Sequence, residues 1–511
     1  LFYDKTFNDK HTLGVTLLQS IQEDKKESVN VAMENLPADN LKYYDLGSGL
    51  VTNTIGSSMI KWNMASFMGR INYNYLGRYL LTVSARYDGS SRLADGHKWV
   101  LFPSAALAWR INEESFMSST SGWLDNLKLR LGFGKTGNSA VDPYQTKGTL
   151  SLIRYPFDNG GTPTIGYAPN AMANSLLTWE TTDQWNLGID FGVLRGRING
   201  TIDLYMQNTH DLLLKRQLPV VSGFPDVLSN VGKTRNKGIE VSINSMNINS
   251  KDFQWTTDLM LSSNKEEIVE LYNGKNDDIG SKWFIGQPVN VHYDYRKVGI
   301  WQNTESDLAE MAKFAANGTE FAPGDIKIQD VNGDYKITDA DKQILGNPRP
   351  KLIASMVNTF NYKGFDLSVF LYASFGAMLY NDIYAVEHCG RNGGVKVDYW
   401  TPNNPTNAYP RPSIDEERPI YITSTYYEKA DFLRVKTMTL GYTLPKTLTN
   451  KFLVEKLRVY FTAQNPFIFT NYTGIDPEAA KVNSAGNPET NGSGFGTPSV
   501  SSWIFGINLT L

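Results

Sequence analysis

Polar residues between positions 330 and 341 have the types and spacing of a cation-binding loop. In a calcium loop, side-chain oxygens at relative positions 1, 3, 5 and 12 surround the ion, and position 7 adds its backbone carbonyl. The residues at these positions are Asp330, Asn332, Asp334, Asp341 and, for the carbonyl, Lys336. The sequence therefore predicts a bound Ca²⁺ or Mg²⁺ with a structural rather than a catalytic role.

The same segment departs from the calcium-loop pattern at two positions. Tyr335 stands where glycine is usual, and Asp341 stands where a bidentate glutamate is usual. The best short helix candidate, at 308–315, lies well upstream and does not fit a helix–loop–helix unit. The alternative interpretation is a tight turn, rich in Asp and Asn, between two strands.

A second group of candidates consists of aromatic residues in segments that we expect to be long loops. Sugar rings present apolar C–H faces that stack on aromatic rings, while neighbouring polar groups bond the sugar hydroxyls. The candidates for binding a substrate are Trp283, Phe284, Tyr293, Tyr295 and Tyr384. The alternative is that these rings pack within their loops or contact a protein partner.

Catalytic motifs are weak in this sequence. Its five histidines lack the HExxH spacing, and it has no G-x-S-x-G, Walker A or G-x-G-x-x-G motif. Carboxylate pairs such as Glu113 and Glu114 have the character of solvated loop charges. We therefore predict that the protein is not an enzyme.

Composition narrows the class of protein further. A formal net charge of -3 excludes a generally basic nucleic-acid binder, so no nucleic acid is expected as a partner. The single cysteine, Cys389, excludes an internal disulfide framework and a thiolate zinc cluster. The sequence has no apolar run of about 18 residues, which a transmembrane helix needs but a transmembrane β-barrel does not.

Strict two-residue alternation of apolar and polar residues dominates the chain. Successive side chains of a strand point to opposite faces, so each alternating segment has one apolar face and one polar face. Roughly fourteen such segments run along the chain, many about ten residues long, which is the length a tilted strand needs to cross a bilayer. The clearest apolar faces begin at Tyr79, Ala105, Leu127, Leu187, Ile202, Phe365, Leu457 and Trp503.

Connections between these segments alternate between short and long. Short ones lie at 194–197 and 361–364. Long ones lie at 136–178, 208–236, 264–350 and 375–429. This pattern predicts an all-β protein, a transmembrane antiparallel β-barrel with long extracellular loops. The alternative is a soluble extracellular β-protein of several domains that binds polysaccharide, although its strands would usually be shorter.

An ordered set of short strings resembles the SusC/RagA family of TonB-dependent outer-membrane transporters. The resemblance covers nearly the whole chain, and its specificity comes from the order of the strings. They are SARYDGSSR at 84–92, FPS at 102–104, AWRI at 108–111, GKTGN at 134–138, LTWETT at 177–182, NVG at 230–232, NKGIE at 236–240, GNP at 346–348, LGYTLP at 440–445, QN at 464–465 and YTGIDPE at 472–478.

This resemblance implies a 22-stranded barrel in the outer membrane of a Gram-negative bacterium, with an N-terminal plug inside. It implies import of glycan fragments, or of oligopeptides in some members, driven by the TonB complex under a SusD-like lipoprotein lid. We expect residues 1–511 to be the C-terminal part of such a barrel, with the plug and first strands absent from this chain. The expected partners are that remainder of the transporter, the SusD-like lipoprotein, the TonB complex, the glycan substrate, and lipid including lipopolysaccharide.

Cationic residues on the polar faces are expected to point into the lumen. They are Arg86, Lys128, Arg130, Arg434 and Arg458. Such residues either line the transport path, hold the plug by charge-assisted hydrogen bonds, or form a solvated surface.

Overall fold

The computed structural model describes residues 1–510 apart from 39, 41, 158–163, 382–395, 414–417, 453, 480, 483–487 and 490–497. Its two α-helices are short: α1 is Glu305–Ala316 and α2 is Lys446–Thr449. In the part of the chain that the structure describes, no helix has the length and apolar character that crossing a membrane requires.

Strands make up most of the described chain. In chain order they are β1 Phe2–Phe7, β2 His11–Glu34, β3 Val51–Tyr75, β4 Tyr79–Ser90, β5 Trp99–Arg110, β6 Leu124–Asn138, β7 Thr149–Tyr155, β8 Thr164–Ala171, β9 Glu180–Val193, β10 Ile198–His210, β11 Leu213–Gln217, β12 Asp226–Asn230, β13 Lys233–Asn249, β14 Phe253–Glu270, β15 His292–Asp294, β16 Lys297–Ile300, β17 Ile326–Ile328, β18 Gln343–Gly346, β19 Leu352–Tyr362, β20 Phe365–Phe375, β21 Met378–Tyr380, β22 Tyr427–Lys429, β23 Phe432–Thr443, β24 Lys456–Thr470, β25 Lys481–Val482, β26 Pro488–Glu489 and β27 Ser502–Thr510.

Fifteen of these strands form one antiparallel sheet, one more than the roughly fourteen expected. Its order is β1-β2-β3-β4-β5-β6-β9-β10-β13-β14-β19-β20-β23-β24-β27, so each strand pairs with its neighbours along the chain once the loop strands are set aside. The remaining strands form six two-stranded pairs within the long connections. This meander needs no crossover, which is the simplest topology for an antiparallel sheet.

Most connections at one end of the large sheet are tight turns. The two residues between β19 and β20 are Lys363 and Gly364, both with positive φ, as a type I′ hairpin requires. Leu194 and Arg195 likewise have positive φ in the turn between β9 and β10. The opposite end carries the long connections, in the places expected from the sequence. We call these the short-turn end and the long-loop end.

The apolar face of the sheet is continuous and exposed. Residues directly opposite each other on paired strands share a face, and Leu81 pairs with Leu107, which pairs with Leu131. Leu131 pairs in turn with Leu187, and Leu187 with Leu204. All five leucines are between 39% and 50% exposed, so the predicted alternation is confirmed and its apolar side faces outward.

The opposite face carries ion pairs that cross strands. Arg130 on β6 donates through Nε to Oδ1 of Asp190 at 2.8 Å and through Nη2 to Oδ2 of Asp203 at 3.0 Å. Asp203 lies on β10, and β9 runs between these two residues. The bridge passes over Gly188, where an added Cβ would lie 2.5 Å from Arg130 Nη2 and 2.6 Å from Asp203 Oδ1.

The same arrangement recurs near the end of the chain. Arg458 on β24 donates through Nε to Oδ1 of Asp366 on β20 at 2.9 Å. Gly441 of the intervening β23 lies under this bridge, and an added Cβ there would lie 2.6 Å from Asp366 Oδ1. In both places a glycine on the middle strand leaves the space through which an arginine reaches the strand beyond.

The long connections have hydrophobic cores of their own. One is built from six buried residues of the segments 297–328 and 400–426: Ile300, Ile326, Ile328, Trp400, Ile422 and Tyr426. A second packs Trp301 against Met311 and Phe314 of α1. A third joins Leu93, Phe102, Val141, Leu177 and Trp179. The long loops are therefore folded bodies that can hold side chains in fixed positions.

Candidate functional site

The aromatic residues expected to bind substrate make different contacts in the described structure. Phe284 is buried, and its ring centroid lies 4.8 Å from that of Tyr293. Trp283 is half-buried and forms a β-bridge with Asp278. The Phe284 and Tyr293 rings therefore contact each other within their loop. A binding role for them stays a prediction.

Tyr295 lies beside the loop core. Its ring centroid is 5.0 Å from that of Tyr421, and its hydroxyl donates to Oδ1 of Asp339 at 3.3 Å. Burial and then the Asp339 carboxylate raise the pKa of Tyr295 to about 12. Tyr384, the fifth candidate, lies outside the described residues.

A cavity of about 530 Å³ opens next to Tyr421. Phe321 and Tyr421 supply aromatic surface, and Glu320, Asp325 and Arg411 supply polar groups. Arg411 donates through Nε to Oδ1 of Asp325 at 2.8 Å, which fixes the guanidinium at the cavity edge. We call this the Tyr421 cavity. Aromatic faces beside fixed polar groups suit the stacking and hydroxyl bonding that a sugar ring requires.

Sequence reasoning missed the residues of the Tyr421 cavity because they come from distant segments. Phe321 follows α1, while Arg411 and Tyr421 belong to the connection between β20 and β23. Burial raises the pKa of Tyr421 further above neutrality than that of an ordinary phenol. Its hydroxyl therefore keeps its proton at neutral pH, as any tyrosine does, and can donate a hydrogen bond. Aromatic enrichment alone gave no signal for this grouping.

A half-buried lysine, Lys297, lies close to the same loop core. Burial lowers the pKa of Lys297 to about 8, and its Nζ donates to the carbonyl oxygen of Ala408 at 2.7 Å. Ile300, a few residues along, donates its amide to Oδ1 of Asn407 at 2.9 Å. These contacts join the 297–300 strand to the 400–411 segment and so hold the wall behind the Tyr421 cavity.

In the predicted cation loop, the carboxylates accept hydrogen bonds from backbone amides of the same loop. Asp330 accepts hydrogen bonds from the amides of Gly333 and Tyr335, both at 2.8 Å. Asp334 accepts from the amide of Lys336 at 2.8 Å. Tyr335 has a φ of 57°, the left-handed conformation that favours glycine at this position of a calcium loop. The backbone therefore curls as a calcium loop does, despite the tyrosine.

Asp341 closes the same loop. Its fully buried carboxylate accepts from the amide of Val331 at 2.9 Å and from the amide of Thr338 at 2.8 Å. Asn332 donates its side-chain amide to Asp334 at 3.0 Å. Within the described ranges, no three His, Cys, Asp or Glu side chains are grouped so that they could hold a metal ion. The tight-turn interpretation accounts for these contacts, and metal binding stays a prediction.

The cationic residues expected in the lumen are paired with carboxylates of the same chain. Arg86 donates to Asp88 at 2.7 Å, and Lys128 lies 3.2 Å from Asp190. Arg130 and Arg458 form the cross-strand bridges described above. These cations are therefore neutralised by carboxylates on the same face of the sheet.

Arg434 makes the most buried of these pairs. Its Nη2 donates to Oδ1 of Asp476 at 2.6 Å, and both side chains are about 95% buried. Nε of Arg434 lies 2.5 Å from Oε2 of Glu478, and Nζ of Lys436 lies 2.7 Å from Oε1 of the same residue. Asp476 also accepts from the amide of Ser499 at 2.9 Å. The YTGIDPE string thus anchors the last long connection onto β23.

Comparison with known proteins decides the family. The model of the family described as TonB dependent receptor-like, beta-barrel matches residues 4–465. The chain belongs to this family. It is of SusC/RagA type, and the large sheet is accordingly part of a β-barrel of the Gram-negative outer membrane, with the long-loop end extracellular.

Individual relatives agree with this assignment. TonB-dependent receptor P3 of Formosa agariphila is 32% identical over 100% of this chain and 51% of its own length. TonB-dependent receptor SusC of Bacteroides thetaiotaomicron is 35% identical over 81% of this chain and 41% of its own length. The chain therefore spans about half the length of the relatives it matches.

Solved structures show the same fold. The structure of the RagAB peptide transporter matches with a TM-score of 0.82 at 23% identity, over 99% of this chain and 54% of that chain. The expectation of a transmembrane antiparallel barrel from this family is confirmed. Members of the family are transporters rather than enzymes.

Proposed function

We propose that this chain forms the barrel wall and outer loops of an importer that carries oligosaccharides across the outer membrane. The observation that carries the proposal is the Tyr421 cavity, which lies at the extracellular end of a barrel wall of transporter type. Its aromatic faces and paired Arg411–Asp325 group suit a neutral, hydroxyl-rich ligand. The 35% identity to a receptor named SusC supports membership of the same functional group.

The energy source and the partners belong to the same proposal. Transport is driven by the TonB complex acting on a part of the transporter beyond the segment that this chain matches, and a SusD-like lipoprotein covers the extracellular mouth. The folded loop cores around Trp301 and Trp400 give such a lid a rigid surface on which to dock. Fixed loops favour tight capture of a substrate beneath a lid, because fewer loops and side chains have to become ordered when the substrate binds.

We also propose that the loop at 330–341 binds Ca²⁺ as a structural ion. The support is the set of oxygen-bearing residues at calcium-loop spacing and the left-handed backbone at Tyr335. The ion would stiffen the loop that lies beside α1, since Phe314 of that helix contacts the Tyr335 ring with centroids 5.5 Å apart.

Ligand binding by the purified full-length transporter tests the substrate class. We expect neutral oligosaccharides to bind, and oligopeptides of the same mass to bind at least tenfold more weakly. Tyr421→Ala should weaken oligosaccharide binding about tenfold, and Tyr421→Phe, which keeps the ring, should retain most of it. Tighter binding of the peptides, with the same dependence on Tyr421, would favour an oligopeptide importer instead.

A further inference from the structure

A second extracellular cavity, of about 510 Å³, lies between β3 and the connections that follow β4 and β6. Trp62, on the inward face of β3, lines this cavity. The guanidinium carbon of Arg92 lies 3.8 Å from the centroid of the Trp62 ring. Tyr144 also lines the cavity and is about half exposed. We call this the Arg92 cavity.

The walls of the Arg92 cavity are held in place by hydrogen bonds. Asn63 and Ser91 are joined twice: the Asn63 amide donates to Ser91 Oγ at 2.8 Å, and the Ser91 amide donates to the Asn63 carbonyl at 2.9 Å. The hydroxyl of Tyr144 accepts from the amide of Lys61 at 3.2 Å. Leu93, beside Arg92, is 1% exposed within one of the loop cores. The cavity is therefore preformed.

Two of the four cationic side chains that line the Arg92 cavity are already neutralised. Nζ of Lys61 lies 3.0 Å from a carboxylate oxygen of Glu23. Nζ of Lys98 lies 2.5 Å from a carboxylate oxygen of Asp95. These two pairs contribute no net charge to the cavity.

The other two cations, Arg92 and Lys147, have no carboxylate within 4.0 Å among the described residues. The Nε atom of Arg92 is buried, and the described structure offers it no hydrogen-bond acceptor. Lys147 is close enough to lower the pKa of Asp95, although the hydrogen bond and charge of Lys98 have the larger effect. A chain with a formal net charge of -3 thus has two cations here that no described carboxylate neutralises in direct contact.

A buried guanidinium donor without an acceptor is costly unless a ligand supplies one. The planar guanidinium matches a carboxylate, which can accept two parallel hydrogen bonds, better than it matches a neutral hydroxyl. The half-exposed ring of Tyr144, which also lines the cavity, provides an apolar face on which a sugar ring can stack. These two requirements are met together by a sugar that carries its own carboxylate.

We propose that the Arg92 cavity binds the carboxylate of a uronic acid residue within an oligosaccharide, with Arg92 and Lys147 as its charge partners and Tyr144 against the sugar ring. This inference rests on the proposed function and adds the chemical class of one substrate residue. The ligand has acidic character here, in contrast to the neutral character that suits the Tyr421 cavity.

Binding of a matched pair of ligands to the purified full-length transporter tests the proposal. The probes are a tetragalacturonate and its fully methyl-esterified form, which has the same rings without the negative charges. Calorimetry should show at least tenfold tighter binding of the free acid. Arg92→Gln should reduce that preference below threefold, and Lys147→Gln should reduce it by a smaller factor.

Arg216→Gln is the matched control, because Arg216 is an exposed guanidinium on the β11 strand, outside the cavity. It should leave the preference for the acid unchanged. Arg92→Lys keeps the positive charge but lacks the planar guanidinium, so it should give an intermediate preference for the acid. Each variant is first checked for folding by the change in electrophoretic mobility that a folded barrel shows on heating.

Three results would overturn the proposal. They are equal affinity for the acid and its ester, a preference for the acid that survives Arg92→Gln, and tighter Arg92-dependent binding of an acidic tetrapeptide than of tetragalacturonate. The measurement does not involve transport. Failure of energised uptake would therefore count against the proposed function and leave this binding result to be judged separately.

Discussion

Arg130 Nη2 donates to Asp203 Oδ2 at 3.0 Å across the whole width of β9. The bridge exists because Gly188, between them, has no side chain. A glycine inside a strand weakens it, so its presence indicates a close approach of other atoms. Here those atoms are the two ends of an interior ion pair, and the pair ties three neighbouring strands of the barrel wall together.

Gly188→Ala should destabilise the barrel by about 1–3 kcal/mol, because the new methyl group displaces Arg130 from its carboxylates. Urea unfolding in lipid vesicles, followed by tryptophan fluorescence, measures the change. Gly132→Ala is the matched control, since an added Cβ there meets its nearest neighbour, Asn186 Cβ, at 4.0 Å. Equal effects at both glycines would contradict the assigned role of Gly188.

Arg434→Leu should release the last long connection from β23. It leaves the buried Asp476 without its cation, and breaking a buried pair in this way costs about 3–5 kcal/mol. Limited proteolysis of the folded protein should then cut near 476–500 at least tenfold faster. Lys436→Gln is the control, because Lys436 is more exposed than Arg434, and it should have a smaller effect. An unchanged cleavage rate in Arg434→Leu would show that the connection is held by other contacts.

Val83→Arg should destabilise the barrel by about 2–4 kcal/mol, because Val83 lies outward, halfway between the interfacial rings Tyr79 and Tyr87. The neighbouring Thr82 faces the lumen, where it bonds Asn72, so Thr82→Arg should cost much less. Vesicle unfolding compares the two variants. A greater loss in Thr82→Arg than in Val83→Arg would reverse the assignment of the two faces.

Ca²⁺ at millimolar concentration should slow proteolysis of the 330–341 loop several-fold, and a chelator should restore the faster rate. Asp330→Asn should abolish the difference, because it removes charge from the first ligand position. Asp339→Asn, which changes an exposed carboxylate outside the ligand positions, should preserve the Ca²⁺ effect. Identical proteolysis with and without Ca²⁺ in the unchanged protein would contradict the cation proposal.

The loop around His292 should become less stable at acidic pH. Burial lowers the pKa of His292, whose Nε2 lies 2.8 Å from the carbonyl oxygen of Met378 and must donate to it. At a pH below the unfolded pKa of about 6.5, the unfolded loop binds the proton more readily than the folded loop, so stability is lost as pH falls. Hydrogen exchange of residues 290–294 at pH 5 and pH 7 measures this loss.

His292→Gln can still donate to Met378, and it has no ring to protonate, so it should show a smaller change in exchange between the two pH values. The facing groups are Tyr427, whose pKa is raised chiefly by burial, and its hydrogen-bond acceptor Asp294. An equal pH effect in His292→Gln would assign the titration to another group.

The faces of the strands could be predicted from the sequence because side-chain orientation has a period of two residues. Val83 and Leu131 were assignable to the apolar face before any pairing was known. Their partners on the neighbouring strands could not be assigned from the sequence, since register depends on turns and on contacts between strands. Leu129, which lies directly opposite Trp109, illustrates this limit, because its depth in the membrane follows from the register.

The candidate sites were less predictable than the fold. Arg92, Trp62 and Tyr144 belong to three separate segments, and no local pattern indicates that they meet. The only sequence signal for Phe284 and Tyr293 as binding residues is that they are aromatic residues in a long loop. In the structure their rings pack against each other. The cation loop could be recognised from the sequence because its residues are contiguous. The hydrogen bonds that its own amides donate to its carboxylates could not be predicted in this way.

Uptake by living cells is the most direct test of the proposal that this chain is part of a TonB-driven oligosaccharide importer. Cells that carry the full-length transporter and its lipoprotein partner are given a radiolabelled oligosaccharide that the purified protein binds. We expect cells with functional TonB to accumulate at least tenfold more label than otherwise identical cells that lack TonB. Equal accumulation in both, or accumulation of oligopeptides in place of oligosaccharides, would contradict it.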